Sequence, residues 1–131
     1  MRQSMLQPTN VWAPGEHLFA QCVAVTDARQ TLYLAGQTSI DAEGTIIGAG
    51  DVETQIRLSF ANIAAILAEA GGTLDNVVKL TVYLLDMAAL PIYTRVLGEL
   101  FPESRPSQTV VQVSALAMAE LLVEIDAIAA L

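Results

Sequence analysis

The chain has 131 residues and a net charge of −8, from 14 acidic and 6 basic side chains, and this acidic excess argues against a nucleic-acid partner. Its length predicts one domain, residues 1–131, and although 53% of the residues are hydrophobic, no apolar run approaches the ~20 residues that span a bilayer, so no membrane partner is predicted. One His and one Cys cannot supply the usual zinc ligands, and a P-loop is absent, so we predict no metal and no cofactor.

The N-terminal segment lacks the apolar core of a signal peptide, which predicts a cytoplasmic protein. Trp12 is predicted either to pack over a subunit edge or to shield the mouth of a pocket. His17 follows in a predicted loop, where a surface position is the default. The single Cys22 fits a reducing compartment, and its place within a strand predicts a small core residue rather than a nucleophile.

Two short β-prone runs come next, at residues 20–25 and 31–35. The intervening TDARQ is predicted to join them as a hairpin turn. A second turn is predicted at 41–45, where Gly44 supplies the flexible position.

Two helices are predicted from their caps and their apolar spacing. The first begins after Asp51, a favourable N-cap, and ends at Gly71-Gly72. The second is capped by Asp86 and ends at Pro102. The inward-facing residues of both helices are predicted to be Ile56, Phe60, Ile63, Leu67 and Ala70, then Leu90, Tyr93, Val96, Leu97, Leu100 and Phe101.

The remaining strands complete a mixed sheet. Residues 76–86 alternate between a wholly apolar face, which carries Val78, and a mixed opposite face. Two more strands are predicted at 108–113 and 121–129. The order β-β-α-β-α-β-β predicts an α+β fold, a two-layer mixed β-sheet with two helices on one face. The opposite face is semi-polar, and we expect subunit contacts to cover it.

The last predicted strand carries an acidic residue at a partly buried position. In LLVEIDAIAAL, Glu124 alternates with apolar residues in a pattern typical of a central strand. A carboxylate there is costly unless it is paired, hydrogen-bonded or used in chemistry. The residues alone leave two interpretations open, of which a structural acid satisfied by a neighbour such as Lys79 is favoured over a catalytic one.

Several segments resemble the RidA (YjgF) family of small trimeric proteins, best known as enamine/imine deaminases. They are LFAQCV, YLAGQTSID, ETQIRLSFANIAAILAEAGGTLDNVVKLTVYLLDM and FPESRPSQTVVQVSAL followed by VEIDAIA. The resemblance covers nearly the whole chain. It implies a RidA/chorismate mutase-like fold, a homotrimer, and an inter-subunit active site for a small-molecule ligand.

The resemblance also assigns candidate site residues. Glu124 matches the family Glu that is thought to position or activate the attacking water, so it is the catalytic candidate. Gln108 stands where the family has an Arg that forms a bidentate pair with a substrate carboxylate, and an uncharged amide makes a weaker contact. The other substrate-binding candidates are Thr109, Phe19 in place of a Tyr, Ala35 in place of a Ser, Gly36, and Thr94 in place of an Asn.

These residues favour a hydrolase for a small imine or enamine that lacks an α-carboxylate. The alternative is a non-catalytic trimer that binds a small ligand or acts as a scaffold. Ribonuclease activity, which has been attached to relatives, is disfavoured by the acidic charge. Whether Arg105 compensates for Gln108 is left open.

Overall fold

The computed structural model describes residues 1–15 and 18–131, in which two helices pack on one face of a mixed sheet. The predicted α+β two-layer fold is therefore confirmed. In the described ranges no helix has both the length and the apolar character needed to cross a bilayer. His17 lies outside the described residues.

The elements are β1 (Arg2–Leu6), β2 (Cys22–Thr26), β3 (Thr31–Gln37), α1 (Val52–Glu69), β4 (Val77–Leu84), α2 (Leu90–Leu100), β5 (Ser107–Gln112) and β6 (Val123–Ala130).

The main sheet has four strands in the order β3-β6-β4-β5. β6 pairs antiparallel with β3 and with β4, so it is central, as its apolar alternation predicts. β4 and β5 are parallel, and α2 forms the crossover between them.

The N-terminal strands differ from the prediction. β1 was not predicted, because RQSML has no apolar alternation, and it pairs antiparallel with β2 in a separate two-stranded sheet. TDARQ joins β2 to β3, but these strands pair with β1 and β6, so the predicted hairpin does not form. Cys22 is exposed at the start of β2, and its prediction as a core residue was wrong, since it lies at the end of this small sheet.

The core lies between the helices and the main sheet. Most of the predicted apolar stripes are buried there, although Ala70, the C-cap of α1, is only half-buried. In β4 the register shifts between Val77 and Lys79, so Val77 is buried and the predicted Val78 is half-buried. Full burial of each large apolar side chain contributes about 1.5–3 kcal/mol.

One buried polar residue on α1 fixes the approach to β6. The side chain of Gln55 is fully buried, and its Nε2 donates to the carbonyl oxygens of Gly48 (3.0 Å) and Glu120 (2.9 Å). Its Oε1 accepts a hydrogen bond from the backbone N–H of Leu122 at 2.8 Å. Because Leu122 immediately precedes β6, this amide fixes the point at which β6 enters the sheet.

The face of the main sheet opposite the helices, which we call the open sheet face, is a mixture of polar and apolar side chains. The strand register and the alternating burial of β4 and β6 show which side chains lie on this face. Its members are Tyr33, Ile128, Asp126, Glu124, Tyr83, Thr81, Lys79, Thr109 and Val111.

Candidate functional site

Glu124 lies on the open sheet face, directly opposite Tyr83 of β4. On its other side β3 has a register shift between Leu34 and Gln37, which contains Gly36. A Cβ atom on Gly36 would lie 2.1 Å from Oε1 of Glu124 and 2.8 Å from its Cδ. A glycine within a strand commonly marks a close approach of this kind. The Glu124 carboxylate therefore packs directly against bare backbone, with Ala35 adjacent and exposed.

Lys79 does not pair with Glu124. Its Nζ donates to Oγ1 of Thr109 at 3.1 Å, and its register partner on β6 is Ile128. Among the described residues, ion pairs join only side chains of the two helices, so none reaches this carboxylate. The structural interpretation in which Lys79 satisfies Glu124 is therefore not what the structure shows.

A second carboxylate shares this face with Glu124. The hydroxyl of Tyr83 donates to Oδ2 of Asp126 at 3.3 Å. The negative charge of Asp126, followed by burial, this hydrogen bond and the charge of Glu124, raises the pKa of Tyr83 above its usual value. Tyr83 therefore remains a neutral phenol beside two acids at physiological pH.

On the helix side of the sheet, a cavity of about 300 Å³ lies between β5, α2 and the segment before β2. We call it the Gln108 cavity. Ala20 donates its backbone N–H to the carbonyl of Pro106 at 3.2 Å, which holds that segment beside β5. None of the described lining residues is charged. They are Leu18, Phe19, Leu90, Thr94, Gln108 and Val110.

Gln108 has a buried partner behind the cavity. Its Oε1 accepts a hydrogen bond from the hydroxyl of Tyr93 at 2.7 Å. Tyr93 is fully buried and stacks on Phe60 with ring centroids 6.2 Å apart. The apolar stripe of α2 predicted Tyr93 on its inner face but did not reveal this bond. The available signal was a hydroxyl in an apolar stripe, since a buried Tyr normally finds a partner.

The single tryptophan lies next to this cavity. The rings of Trp12 and Phe19 are 6.2 Å apart between centroids, and Trp12 is 69% exposed. The backbone carbonyl of Trp12 accepts a hydrogen bond from Nε2 of Gln21 at 2.9 Å, which ties the segment to the chain entering β2. Trp12 thus contacts a residue that lines the cavity, in line with one of its two predicted positions.

The predicted site residues fall on two faces of one sheet. Gln108 pairs in register with Leu80, a core residue on the helix side, whereas Glu124 pairs with Tyr83 on the open sheet face. Phe19 and Thr94 meet Gln108 in the cavity, while Gly36 and Ala35 lie on the strand beside Glu124. The structure places Thr109 on the open sheet face. One copy of the chain therefore does not bring the two groups together.

Arg105 lies apart from the Gln108 cavity. It lines a separate hollow against β1 and β2, together with residues such as Gln3, Met5 and Val23. It is not among the residues that line the Gln108 cavity, so within one chain it does not replace the missing positive charge.

Comparison with known proteins places the fold and the sequence in one family. The family model described as Endoribonuclease L-PSP matches residues 15–131. A RutC family protein of Pyrococcus abyssi is 43% identical over 98 residues, which cover 75% of this chain and 76% of that protein. The 3-aminoacrylate deaminase RutC of Acinetobacter baylyi is 34% identical over 110 residues, covering 84% of this chain and 86% of that protein.

A solved structure agrees over the full length. The crystal structure of YyfB from Yersinia pestis, a protein of unknown function in the conserved Rid family, matches with a TM-score of 0.90 and 30% identity, covering 100% of both chains. Together with the family match from residue 15 to the last residue, this shows that the chain belongs to the Endoribonuclease L-PSP family, as a member of its RidA (YjgF) proteins.

Proposed function

We propose that the chain hydrolyses a small imine or enamine at a site completed by a second copy, with Glu124 acting on the attacking water. The observation that carries the proposal is the packing of the Glu124 carboxylate against Gly36, where a Cβ would lie 2.1 Å from Oε1. Glu124 has no ion-pair partner among the described residues, and a side chain on residue 36 would displace its carboxylate. The similarity to a 3-aminoacrylate deaminase supports this reaction class.

The chemistry needs a base for water and a proton for nitrogen. Water adds to the carbon of the C=N bond while the Glu124 carboxylate accepts one of its protons. Glu124 returns this proton to the nitrogen, which gives a carbinolamine. The hydroxyl proton of the carbinolamine then passes through Glu124 to the nitrogen while the C–N bond breaks, and the products are a carbonyl compound and ammonia. An enamine first takes a proton on carbon and loses one from nitrogen, which gives the imine. The reaction consumes one water and needs no oxidant or metal.

A second copy is part of the proposal because Gln108 and Glu124 lie on opposite faces of the sheet. A homotrimer, the state that the family resemblance implies, would place the open sheet face of one subunit against the edge of the next. A head-to-tail contact that closes after three copies makes three equivalent sites. Each site would combine the Gln108 cavity of one copy with Glu124 of its neighbour.

The substrate specificity is proposed to differ from that of family members with an Arg at position 108. The described lining of the Gln108 cavity offers no positive charge to a substrate carboxylate. A buried carboxylate without a charged partner is costly, so an uncharged imine or enamine fits this cavity better.

The test is hydrolysis of 2-aminoacrylate-type imines and of imines without a carboxylate, followed by ammonia release. We expect Glu124→Gln to abolish turnover while the oligomer stays intact. Glu69→Gln makes the same change at an exposed position on α1 and should leave turnover as it is. Turnover retained in Glu124→Gln would remove this residue from the mechanism.

The second candidate function is a non-catalytic trimer that binds a small ligand or acts as a scaffold. The uncharged lining of the Gln108 cavity favours it, because that lining binds without supplying an acid or base. It predicts saturable binding without product and no effect of Glu124→Gln. RNA cleavage is less compatible with the structure, since Arg57 and Arg95 are both held in ion pairs with Glu53 and Glu99.

A further inference from the structure

The orientation of the Gln108 amide follows from its partner. The hydroxyl of Tyr93 is buried and donates to Oε1 of Gln108 at 2.7 Å. If the amide were rotated by 180°, its NH2 group would face the phenol oxygen, and the phenol hydrogen would lose this acceptor. A buried hydroxyl without an acceptor is unfavourable, so the observed orientation is the stable one.

This orientation leaves the NH2 group of Gln108, a residue that lines the Gln108 cavity, without a hydrogen-bond partner among the described residues. An amide NH2 is a donor only, and it carries no charge. Burial raises the pKa of Tyr93 far above its usual value, so the phenol stays protonated and keeps holding the amide oxygen. The cavity therefore presents a fixed, neutral hydrogen-bond donor.

We propose that Tyr93 is a positioning residue that holds Gln108 so that the cavity selects a small ligand with an uncharged acceptor oxygen, such as a carboxamide or ketone, over a carboxylate. The proposal rests on the proposed function in one respect, namely that the substrate occupies this cavity. Leu18, Phe19, Leu90 and Val110 supply the apolar part of the lining. The rest of the ligand is thus apolar, and the volume of about 300 Å³ limits it to a small molecule.

Two probes of nearly equal size and shape test the selection, namely crotonamide and crotonate. Their binding to the full-length protein is followed by the fluorescence of Trp12, the only tryptophan, and by the NMR signals of the Gln108 side-chain NH2. We expect crotonamide to bind at least about tenfold more tightly than crotonate, because only the charged probe loses hydration without gaining a cation. We also expect crotonamide to shift the Gln108 NH2 signals.

Variants separate positioning from stability. Tyr93→Phe frees the Gln108 amide to rotate, so the preference for crotonamide should fall by about threefold to tenfold, the value of one neutral hydrogen bond. A loss of folded protein alone would weaken the apparent binding of both probes equally, and the ratio of their affinities would not change. Thr45→Val removes a hydroxyl at an exposed position outside both the Gln108 cavity and the open sheet face, and it should leave the ratio as in the native protein. Gln108→Arg should reverse the preference.

Three results would overturn the inference: tighter binding of crotonate by the native protein, no saturable binding of either probe at Gln108, or an unchanged ratio in Tyr93→Phe. The same titrations in Glu124→Gln keep this test apart from the proposed reaction. Selection that persists without turnover would count against the reaction only. Turnover that depends on Glu124 but comes without amide selection would count against the role of Tyr93 only.

Discussion

The Glu124 carboxylate occupies the space in which a side chain on residue 36 would stand, since a Cβ on Gly36 would lie 2.1 Å from its Oε1. The two residues belong to adjacent antiparallel strands, and the register shift in β3 brings bare backbone to this point. Gly36 is therefore needed for the position of the Glu124 carboxylate.

Gly36→Ala should lower turnover by about a hundredfold, because an acid displaced by about 1 Å loses its alignment with water. The atoms that must move are the end of the flexible Glu124 side chain, so the cost in folding free energy should stay within about 1–2 kcal/mol. Steady-state kinetics and urea unfolding measure the two effects.

Gly98→Ala is the matched control, because a Cβ there meets nothing within 4 Å. In α2 this change should raise the free energy of unfolding by about 0.5–1 kcal/mol and leave turnover unchanged. Full activity in Gly36→Ala would show that the packing of Glu124 on Gly36 does not matter for the reaction.

Gln55→Ala should lower the free energy of unfolding by about 3 kcal/mol, since it removes three hydrogen bonds of about 1 kcal/mol each between this buried amide and the backbone. Urea unfolding measures this. Gln30→Ala removes an exposed amide and should change stability by less than about 0.5 kcal/mol. Equal effects of the two substitutions would mean that the Gln55 hydrogen bonds contribute little to holding β6.

Asp126→Asn should lower the pKa of Tyr83 toward its ordinary value, because the Asp126 charge is the largest cause of the upward shift. NMR titration of labelled tyrosine in the native protein and in Asp126→Asn measures this. Since the pKa of Tyr83 is raised in the folded state, its contribution to stability is complete below the unfolded pKa near 10 and is lost as pH rises through the folded pKa. Tyr83→Phe should remove this alkaline loss, and an unshifted Tyr83 in the native protein would contradict the assignment.

Val111→Glu should dissociate the oligomer, because it adds a charge to the open sheet face that we propose is covered by a neighbouring subunit. Val111 is 38% exposed in one chain, so the fold itself should tolerate the change. Ile66→Glu is the control, since Ile66 is 41% exposed on α1 in the helix layer. Sedimentation velocity measures the oligomeric state of both variants. A trimer retained in Val111→Glu would exclude the open sheet face as the contact between subunits.

The sequence predicted those parts of the fold that have strong periodicity. The stripe of α1 and the alternation of β6 follow directly from the residues that must be buried. β1 could not be predicted, because RQSML pairs through its backbone and buries little. The exposure of Cys22 was missed for a related reason, since strand periodicity does not reveal which strand will be its partner.

The candidate site was predictable only in part. The resemblance gathered Phe19, Thr94 and Gln108, and the structure brings these three together in one cavity. The resemblance could not show that Glu124 and the Gln108 cavity lie on opposite faces of the sheet, because this depends on how β4 pairs with its two neighbouring strands. The role of Tyr93 was also out of reach, since an inward-facing Tyr on a helix does not reveal its acceptor.

The central claim is that Glu124 of one subunit serves the Gln108 cavity of another, and subunit mixing tests it most directly. Glu124→Gln removes the acid, and Thr94→Trp fills the cavity, so each variant alone should be inactive as a folded trimer. After unfolding and refolding together in equal amounts, the mixture should regain about a quarter of native turnover, since that share of contacts pairs an intact cavity with an intact Glu124. Mixed trimers that are verified by native mass spectrometry and remain inactive would contradict the claim.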